Sequence, residues 1–392
     1  MRKCTLFEEP AHEPAQRGIR GQDKAAAPGE DRARDPVVSH GTKPPPITGR
    51  PIRVAVVGCG RISRNHFSAI AAHADQLSLA GVCDVDPARL SAAVAQTGAR
   101  GFASLADMLN GTDADLVVVA TPSGLHPDQT IQIAEAGRHV MTEKPMATRW
   151  EDGKRMVQAC DAAGVRLFVV KQNRRNATLQ LLKRAMDKKR FGRIYMATLN
   201  VFWTRPQSYY DSDDWRGTWE FDGGAFMNQA SHYVDLLDWL IGPVESVQAY
   251  TATLARNIEV EDSGVALVRW RSGALGSINV TMLTYPKNLE GSITIIGETG
   301  TARVGGVAVN AIEHWEFAEP DEDDAQVADA SYQTTSVYGF GHPLYYDNVI
   351  RVLRGESEPD TDGREGLRSL ELLIAMYRSA RDGRRVSLPL EY

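Results

Sequence analysis

The run IRVAVVGCGRIS, Ile52 to Ser63, constrains the fold more than any other stretch of the chain. Its apolar, β-branched residues read as a strand buried on both faces, and such strands belong to parallel sheets. The strand enters Gly58-x-Gly60 and then a helix-length segment, Ile62 to Ala74. The first glycine permits a tight turn, the second lets backbone approach a pyrophosphate, and the helix offers its N-terminal N–H groups to that charge. Ser63, in the third position of the pattern, is small enough for close packing. LSLAGVCD, DLVVVATP, RHVMTEKP and RLFVVK repeat the strand rhythm between helix-length segments such as Pro127 to Ala136. Residues 51–171 are therefore expected to form a Rossmann-type α/β domain with a parallel, doubly covered sheet. Asp84, ending the second strand, is placed to accept from both adenosine ribose hydroxyls and to repel a 2′-phosphate. No arginine follows it immediately, so NAD is expected rather than NADP.

Beyond about Val170 the rhythm changes. ESVQAYTATLA, SGVALVRWRS, GALGSINVTML, LEGSITIIGE and GTARVGG read as consecutive strands joined by tight turns, with a long helix before them. Residues 172–392 are expected to form an α+β domain with an open, mostly antiparallel sheet, helices on one face, and an amphipathic helix from Leu367 to Ala380. The acidic PDEDDAQVADA reads as a solvated loop, and the Pro-rich, charged residues 1–50 as a disordered extension. A net charge of -6 with scattered Lys and Arg gives no field for nucleic acid, and no apolar run reaches the roughly 18 residues of a membrane span. The four cysteines lack metal-site spacing, so neither a metal nor a disulfide framework is expected, and a reducing cytoplasm fits.

HVMTEKPMA ends in Glu143-Lys144-Pro145 at the carboxyl edge of the first sheet, where doubly wound folds place ligands. Together VVGCGRIS, ATPSGLH, EKP and the later GG…NQASHYVDLL resemble the glucose-fructose oxidoreductase/inositol dehydrogenase (Gfo/Idh/MocA) family over Pro51 to the C-terminus. The resemblance implies that the first domain binds NAD, with Gly58, Gly60, Arg61, Ile62, Asp84, Thr121, Pro122, His126, Glu143 and Lys144 around the cofactor. It also implies that Lys144 and His232 form the catalytic pair, and that the open sheet face builds a homodimer or homotetramer. Asn228 stands where many members have Asp, which puts an Asp–His relay in question. KQNRRN, SYYDSDDWRGTWEFDGGAFMNQASH, VYGFGH and PLYYD are similar to a narrower branch, which oxidises the 3-hydroxyl of UDP-linked N-acetylated amino-sugar uronates for surface polysaccharide synthesis.

Helical phasing of Ala225 to Ile241 groups Ala230, Tyr233, Val234, Leu237, Leu240 and Ile241 on one face. Asn228, His232, Asp235 and Trp239 fall on a stripe opposite, suited to a cleft or a neighbouring element. Histidine, with an ordinary pKa near 6.5, suits the proton acceptor that oxidation of a secondary alcohol needs. Lys144 would hold the hydroxyl and favour alkoxide character, with Asn228 as an orienting partner. Lys171, Gln172, Asn173 and Arg174 follow the last Rossmann-type strand and are expected at the substrate, with Arg174 as a bidentate anion clamp. Trp215 and Arg216, in an aromatic and basic loop, and Tyr346 are further substrate candidates. A dehydrogenase or ketoreductase for inositol, a free sugar or another nucleotide sugar is the alternative within this chemistry. A non-catalytic NAD-binding regulator and a glycosidase using NAD transiently are the alternatives of other classes.

Overall fold

A computed structural model describes residues 44–334 and 341–390. Most of the segment expected to be disordered, residues 1–43, and Val337–Phe340 of the VYGFGH motif lie outside the described residues. Residues 44–50, expected within that disordered extension, are tied down instead. Ile47 N–H donates to Leu353 O at 2.8 Å, and the Arg50 guanidinium donates to both Asp115 carboxylate oxygens at 2.6 and 2.7 Å.

The first domain runs β1 (Ile52–Val57), α1 (Ser63–Ala72), β2 (Leu77–Cys83), α2 (Pro87–Thr97), β3 (Gly101–Phe102), α3 (Leu105–Gly111), β4 (Leu116–Val119), α4 (His126–Glu135), β5 (His139–Thr142), α5 (Trp150–Ala162) and β6 (Leu167–Val169). Its six strands are parallel in the order β3-β2-β1-β4-β5-β6. The β-branched runs explain why. Ile52, Val54, Val56, Leu116 and Val118 pack into one core layer, whereas Ala55, Val57, Val117 and Val119 pack into the other. Strand order reverses between β1 and β4, and the carboxyl ends of these strands form the switch point at which such sheets bind ligands.

The second domain contains α6 (Ala177–Asp187), β7 (Ile194–Phe202), α7 (Gln207–Tyr210), α8 (Ser231–Ile241), β8 (Val244–Ala252), β9 (Ser263–Trp270), β10 (Leu275–Thr281), β11 (Glu290–Gly297), β12 (Gly300–Gly305), β13 (Ala311–Phe317), α9 (Val327–Ala330), α10 (Gly341–Leu353), α11 (Gly363–Asp382) and β14 (Val386–Ser387). Its sheet has the order β13-β12-β11-β7-β10-β9-β8-β14 and is antiparallel except for the β7–β10 pair. Alternation sets the two faces. On β9, Gly264, Ala266, Val268 and Trp270 point inward, while Val265 and Leu267 are exposed. Tyr250, Leu275, Met196 and Ile296 are also exposed, so this sheet keeps a partly apolar uncovered face.

Two details depart from the sequence reading. PDEDDAQVADA is a built element, a short 3-10 turn leading into α9, because Lys188, Arg184 and Arg190 pair with Asp321, Asp323 and Asp324. Helix α10 lies within the stretch assigned to the second domain, yet Tyr345, Tyr346, Val349, Ile350 and Leu353 pack with Ile52, Val54 and Val56 in the first domain's core.

Candidate active site

The cofactor turn follows from its residues. Gly58 has φ +91°, and a Cβ there would lie 2.6 Å from the Ala120 carbonyl carbon, so only glycine fits between β1 and β4. Around Gly60 the space beyond its Cα is open. Helix α1 begins without a side-chain cap, leaving its first N–H groups available to a phosphate. Ser63 Oγ donates to Gly60 O at 2.7 Å and fixes the turn. Asp84 is buried at the tip of β2, where it accepts from Cys59 N–H at 2.7 Å and from Asp86 N–H at 2.8 Å. An ionised carboxylate has roughly four acceptor positions, so both oxygens retain capacity for ribose hydroxyls. These residues fit a dinucleotide. Gly58→Ala is expected to cost about 2–4 kcal/mol of stability, through overpacking and left-handed strain together, and to weaken NAD binding. Denaturant unfolding and a cofactor titration check it.

At the carboxyl end of β5, Lys144 reaches across to the second domain. Its Nζ donates to Asn228 O at 2.8 Å and to Asn228 Oδ1 at 3.2 Å. Burial lowers Lys144 to about 8, although Glu143 and Asp222 nearby favour its charged form. His232 is buried at the start of α8, with its Nε2 3.2 Å from Gln172 Nε2. Burial, helped by the charges of Lys144 and Lys171, holds its pKa well below the ordinary value, so the ring is neutral at neutral pH. A neutral imidazole is the form that accepts a proton. Gln172 Oε1, Asn173 Oδ1 and His232 Nδ1 are buried without a partner among the described residues.

The helical stripe is arranged differently from the continuous helix expected over Ala225 to Ile241. Ala225–Gln229 forms a π-helical turn, and the α-helix restarts at Ser231. Just before this turn Gly224 must lack a side chain, since a Cβ there would collide with the Glu261 carboxylate. The later part of the stripe, Asp235 and Trp239, faces a neighbouring element. Asp235 accepts from Arg174 Nε and Nη2, both at 2.7 Å, and from Ser369 Oγ at 2.6 Å, with Lys171 Nζ 3.8 Å away. Arg174 lies over Trp239, its guanidinium carbon 5.4 Å from the ring centre. Arg174, expected as an anion clamp for substrate, thus has its fork occupied by Asp235, and Lys171 is drawn toward the same carboxylate.

Tyr346, expected at the substrate, is fully buried, with its hydroxyl 2.9 Å from His66 Nδ1. His66 Nε2 lies 3.0 Å from Glu143 Oε1, and His342 Nε2 3.6 Å from the same oxygen. No metal-ligand cluster was visible in the sequence, yet the fold brings His66, Glu143 and His342 within 4.8 Å of one another. Tyr346 and Glu143 already occupy both ring nitrogens of His66, so hydrogen bonding alone accounts for its place here. Burial would raise Glu143, but His342 and His66 hold it well below the usual carboxylate range. His126, expected in the cofactor environment, is buried beside the Lys144-Pro145 turn, with Nδ1 2.9 Å from Pro145 O and Nε2 2.9 Å from Thr121 O. It ties the β4 and β5 ends together, while Thr121 Oγ1 donates to Gln129 Oε1 at 2.6 Å and Pro122 is half-buried. Arg61 is exposed and Ile62 half-buried at the turn. Arg61 also lies near Tyr209, on which Arg205 and Arg216 stack, and Arg216 stacks on Trp215 as well.

Residues 52–171 match the model of the oxidoreductase family's NAD-binding Rossmann fold, and residues 183–388 match that of its C-terminal alpha/beta domain. The chain belongs to the Gfo/Idh/MocA oxidoreductase family. A WlbA dehydrogenase from Chromobacterium violaceum, crystallised with NADH and UDP-GlcNAcA, is 74% identical, covering 90% of this chain and 100% of that one with a TM-score of 0.86. The WlbA dehydrogenase from Bordetella pertussis, in complex with the same two molecules, is 72% identical over 88% of this chain and 100% of that one, with a TM-score of 0.87. A D-apiose dehydrogenase from Paraburkholderia graminis is 27% identical over 85% of this chain and 89% of its own length. As a Gfo/Idh/MocA member the chain also carries residues that sequence reasoning passed over. Asp222, Glu261 and Tyr377 surround the π-turn, with Tyr377 Oη donating to Glu261 Oε1 at 2.8 Å. Asp222 precedes Gly223-Gly224 and was readable as an acid next to the motif. Glu261 and Tyr377 gave no signal, because only the fold brings them there.

Proposed function

We propose that this chain is an NAD-dependent dehydrogenase that oxidises the 3-hydroxyl of a UDP-linked N-acetylated amino-sugar uronate to the 3-keto sugar, for surface polysaccharide synthesis. The observation that carries this reading is 74% identity, over 90% of the chain, to a dehydrogenase crystallised with NADH and UDP-GlcNAcA. The geometry supports it. Bound NAD supplies the hydride acceptor, and the residues do the rest. The hydroxyl proton passes to His232, neutral and in reach of Gln172, as the C–H hydride leaves and the carbonyl forms. Lys144, held by Asn228, donates to the hydroxyl oxygen and stabilises its developing negative charge. The unpartnered Gln172 Oε1 and Asn173 Oδ1 are suited to sugar hydroxyls or the acetamido group. Trp215 and Arg216, with Arg61 and Arg205 around Tyr209, supply the aromatic and cationic surface that an anionic nucleotide requires.

Lys144 and His232 are both present, which disfavours a non-catalytic NAD-binding regulator. The uncovered sheet face, with Tyr250, Leu267 and Leu275 exposed, supports a homodimer or homotetramer. Among the described residues Cys59, Cys83 and Cys160 are free, which supports a cytoplasmic location, and no helix is long and apolar enough to cross a membrane. Incubation of the purified protein with NAD and a panel of sugars tests the assignment. NADH absorbance is expected to rise with UDP-GlcNAcA and not with inositol or free sugars. A rise with free polyols alone would overturn it.

A further inference from the structure

Asn228 places a neutral amide beside Lys144, and the fold brings a buried carboxylate, Asp222, to the other end of that amide. Asp222 is fully buried. Its Oδ2 accepts from Gly217 N–H at 2.7 Å, and its Oδ1 accepts from Asn228 Nδ2. At the other end of the same amide, Asn228 Oδ1 accepts from Lys144 Nζ. A carboxylate offers only acceptors and an ammonium only donors, so with one on each side the Asn228 amide has a single workable orientation. We propose that Asp222 is a positioning residue for Lys144: through Asn228 it orients the ammonium and supports its charge, in place of a carboxylate at position 228. This rests on the reading of Lys144 as the group that holds the substrate hydroxyl.

The charge arrangement around Asp222 fits the role. Burial raises Asp222 to about 6, opposed by Gly217 N–H, Asn228, Arg216 and Lys144. The titratable groups facing it are Lys144 from the end of β5, Tyr210 and Arg216 from the segment after β7, and Glu261 ahead of β9. Glu261 is itself pushed up to about 7, first by burial and then in part by Asp222. Both Asp222 oxygens accept hydrogen bonds, so protonation displaces either Gly217 N–H or the Asn228 amide. As pH falls through about 6, Lys144 loses a nearby counter-charge and the Asn228 amide loses the fixed acceptor that an ionised Asp222 gives it. The fold thus keeps a countercharge for Lys144 while presenting a neutral amide at the reacting end, which suits a substrate that is itself an anion.

The test uses the full-length enzyme and three proteins: wild type, Asp222→Asn, and the exchange variant Asp222→Asn with Asn228→Asp. Asp222→Asn is expected to lower kcat about tenfold to a hundredfold, the range found when a group that orients a metal ligand through a hydrogen bond is removed, and to abolish the acid limb of the pH profile while KM for NAD stays unchanged. The exchange variant returns a carboxylate to Lys144 and is expected to recover at least about tenfold of that loss, which a merely structural role for Asp222 would not allow. A second readout needs no substrate. Acylation of the Lys144 amine, followed by mass spectrometry, is expected to titrate near about 8 in wild type and about one pH unit lower in Asp222→Asn. An exchange variant as slow as Asp222→Asn, or an unmoved Lys144 midpoint, would overturn the proposal. If Asp222→Asn fails to fold, a folded exchange variant within about tenfold of wild-type kcat supports it, and one slower than a hundredfold overturns it. Wild type inactive on UDP-GlcNAcA would sink the proposed function, while the Lys144 titration would still decide the role of Asp222.

Discussion

Replacement of His232 by alanine lowers kcat by about a hundred- to ten-thousand-fold, the range expected for loss of a positioned proton acceptor, while NAD affinity and the unfolding midpoint stay near wild type. The ring sits at the first turn of α8, and its one polar contact among the described residues is the 3.2 Å approach to Gln172. Its Nδ1 is buried without a partner among them, so deletion of the side chain removes an unsatisfied polar atom along with the lost packing. The stability cost is therefore small beside the catalytic one. Steady-state rates with UDP-GlcNAcA and a fluorescence titration of NAD separate the two effects. Turnover within about threefold of wild type would mean that the proton leaves by another route.

The second large effect is on stability. Arg174→Ala is expected to destabilise the protein by about 3–5 kcal/mol, because it strands the buried Asp235 carboxylate. Burial would raise that carboxyl, but Arg174 and Lys171 hold it far below the usual range. A depressed carboxyl contributes stability that is present above its unfolded pKa of about 3.9 and is lost as pH falls through the folded value. The Arg174→Ala loss should therefore be constant across the neutral range and shrink in acid. Urea unfolding at neutral and acidic pH measures both. A loss below about 1 kcal/mol at neutral pH would show that the pair is not doing what its burial implies.

The parallel sheet was legible because its strands are continuous apolar runs separated by helix-length segments, and Gly58, Gly60 and Asp84 stand at fixed offsets within that rhythm. Lys144 and His232, proposed as the catalytic pair, stand in local motifs, EKP and the NQASHYVDLL run that leads into α8. Strand β7, which lies inside the second sheet and pairs with both β10 and β11, was passed over. Its residues, IYMATLNVF, alternate as well as those of β9 do, but the strand sits alone between helices and lacks the hairpin turns that marked the others. Asn228 falls in a π-turn, which shifts the register of a segment that resembles one helix, and the carboxylate packed against Gly224 beside that turn comes from well downstream. Arg174 shows a related limit, since its fork is filled from within the protein. Sequence shows a cation after a strand, and only the fold shows that Asp235 lies against it. Tyr346 and the His66–Glu143–His342 group were illegible for the same cause, since their partners come from opposite ends of the chain.

Helix α10 fixes a limit on how the molecule can be divided. Val169 O receives the Tyr345 hydroxyl at 2.8 Å and the Thr361 hydroxyl at 2.6 Å, and Ile47 is pinned to the end of the same helix. A fragment ending after β6 would therefore uncover part of the core layer that holds Ile52, Val54 and Val56, and would lack the Tyr346 hydroxyl beside His66. The dinucleotide-binding half of this enzyme is completed by a helix that follows strands β7 to β13 in the chain, so a nascent chain reaches a cofactor-competent state only after most of the second sheet has been synthesised.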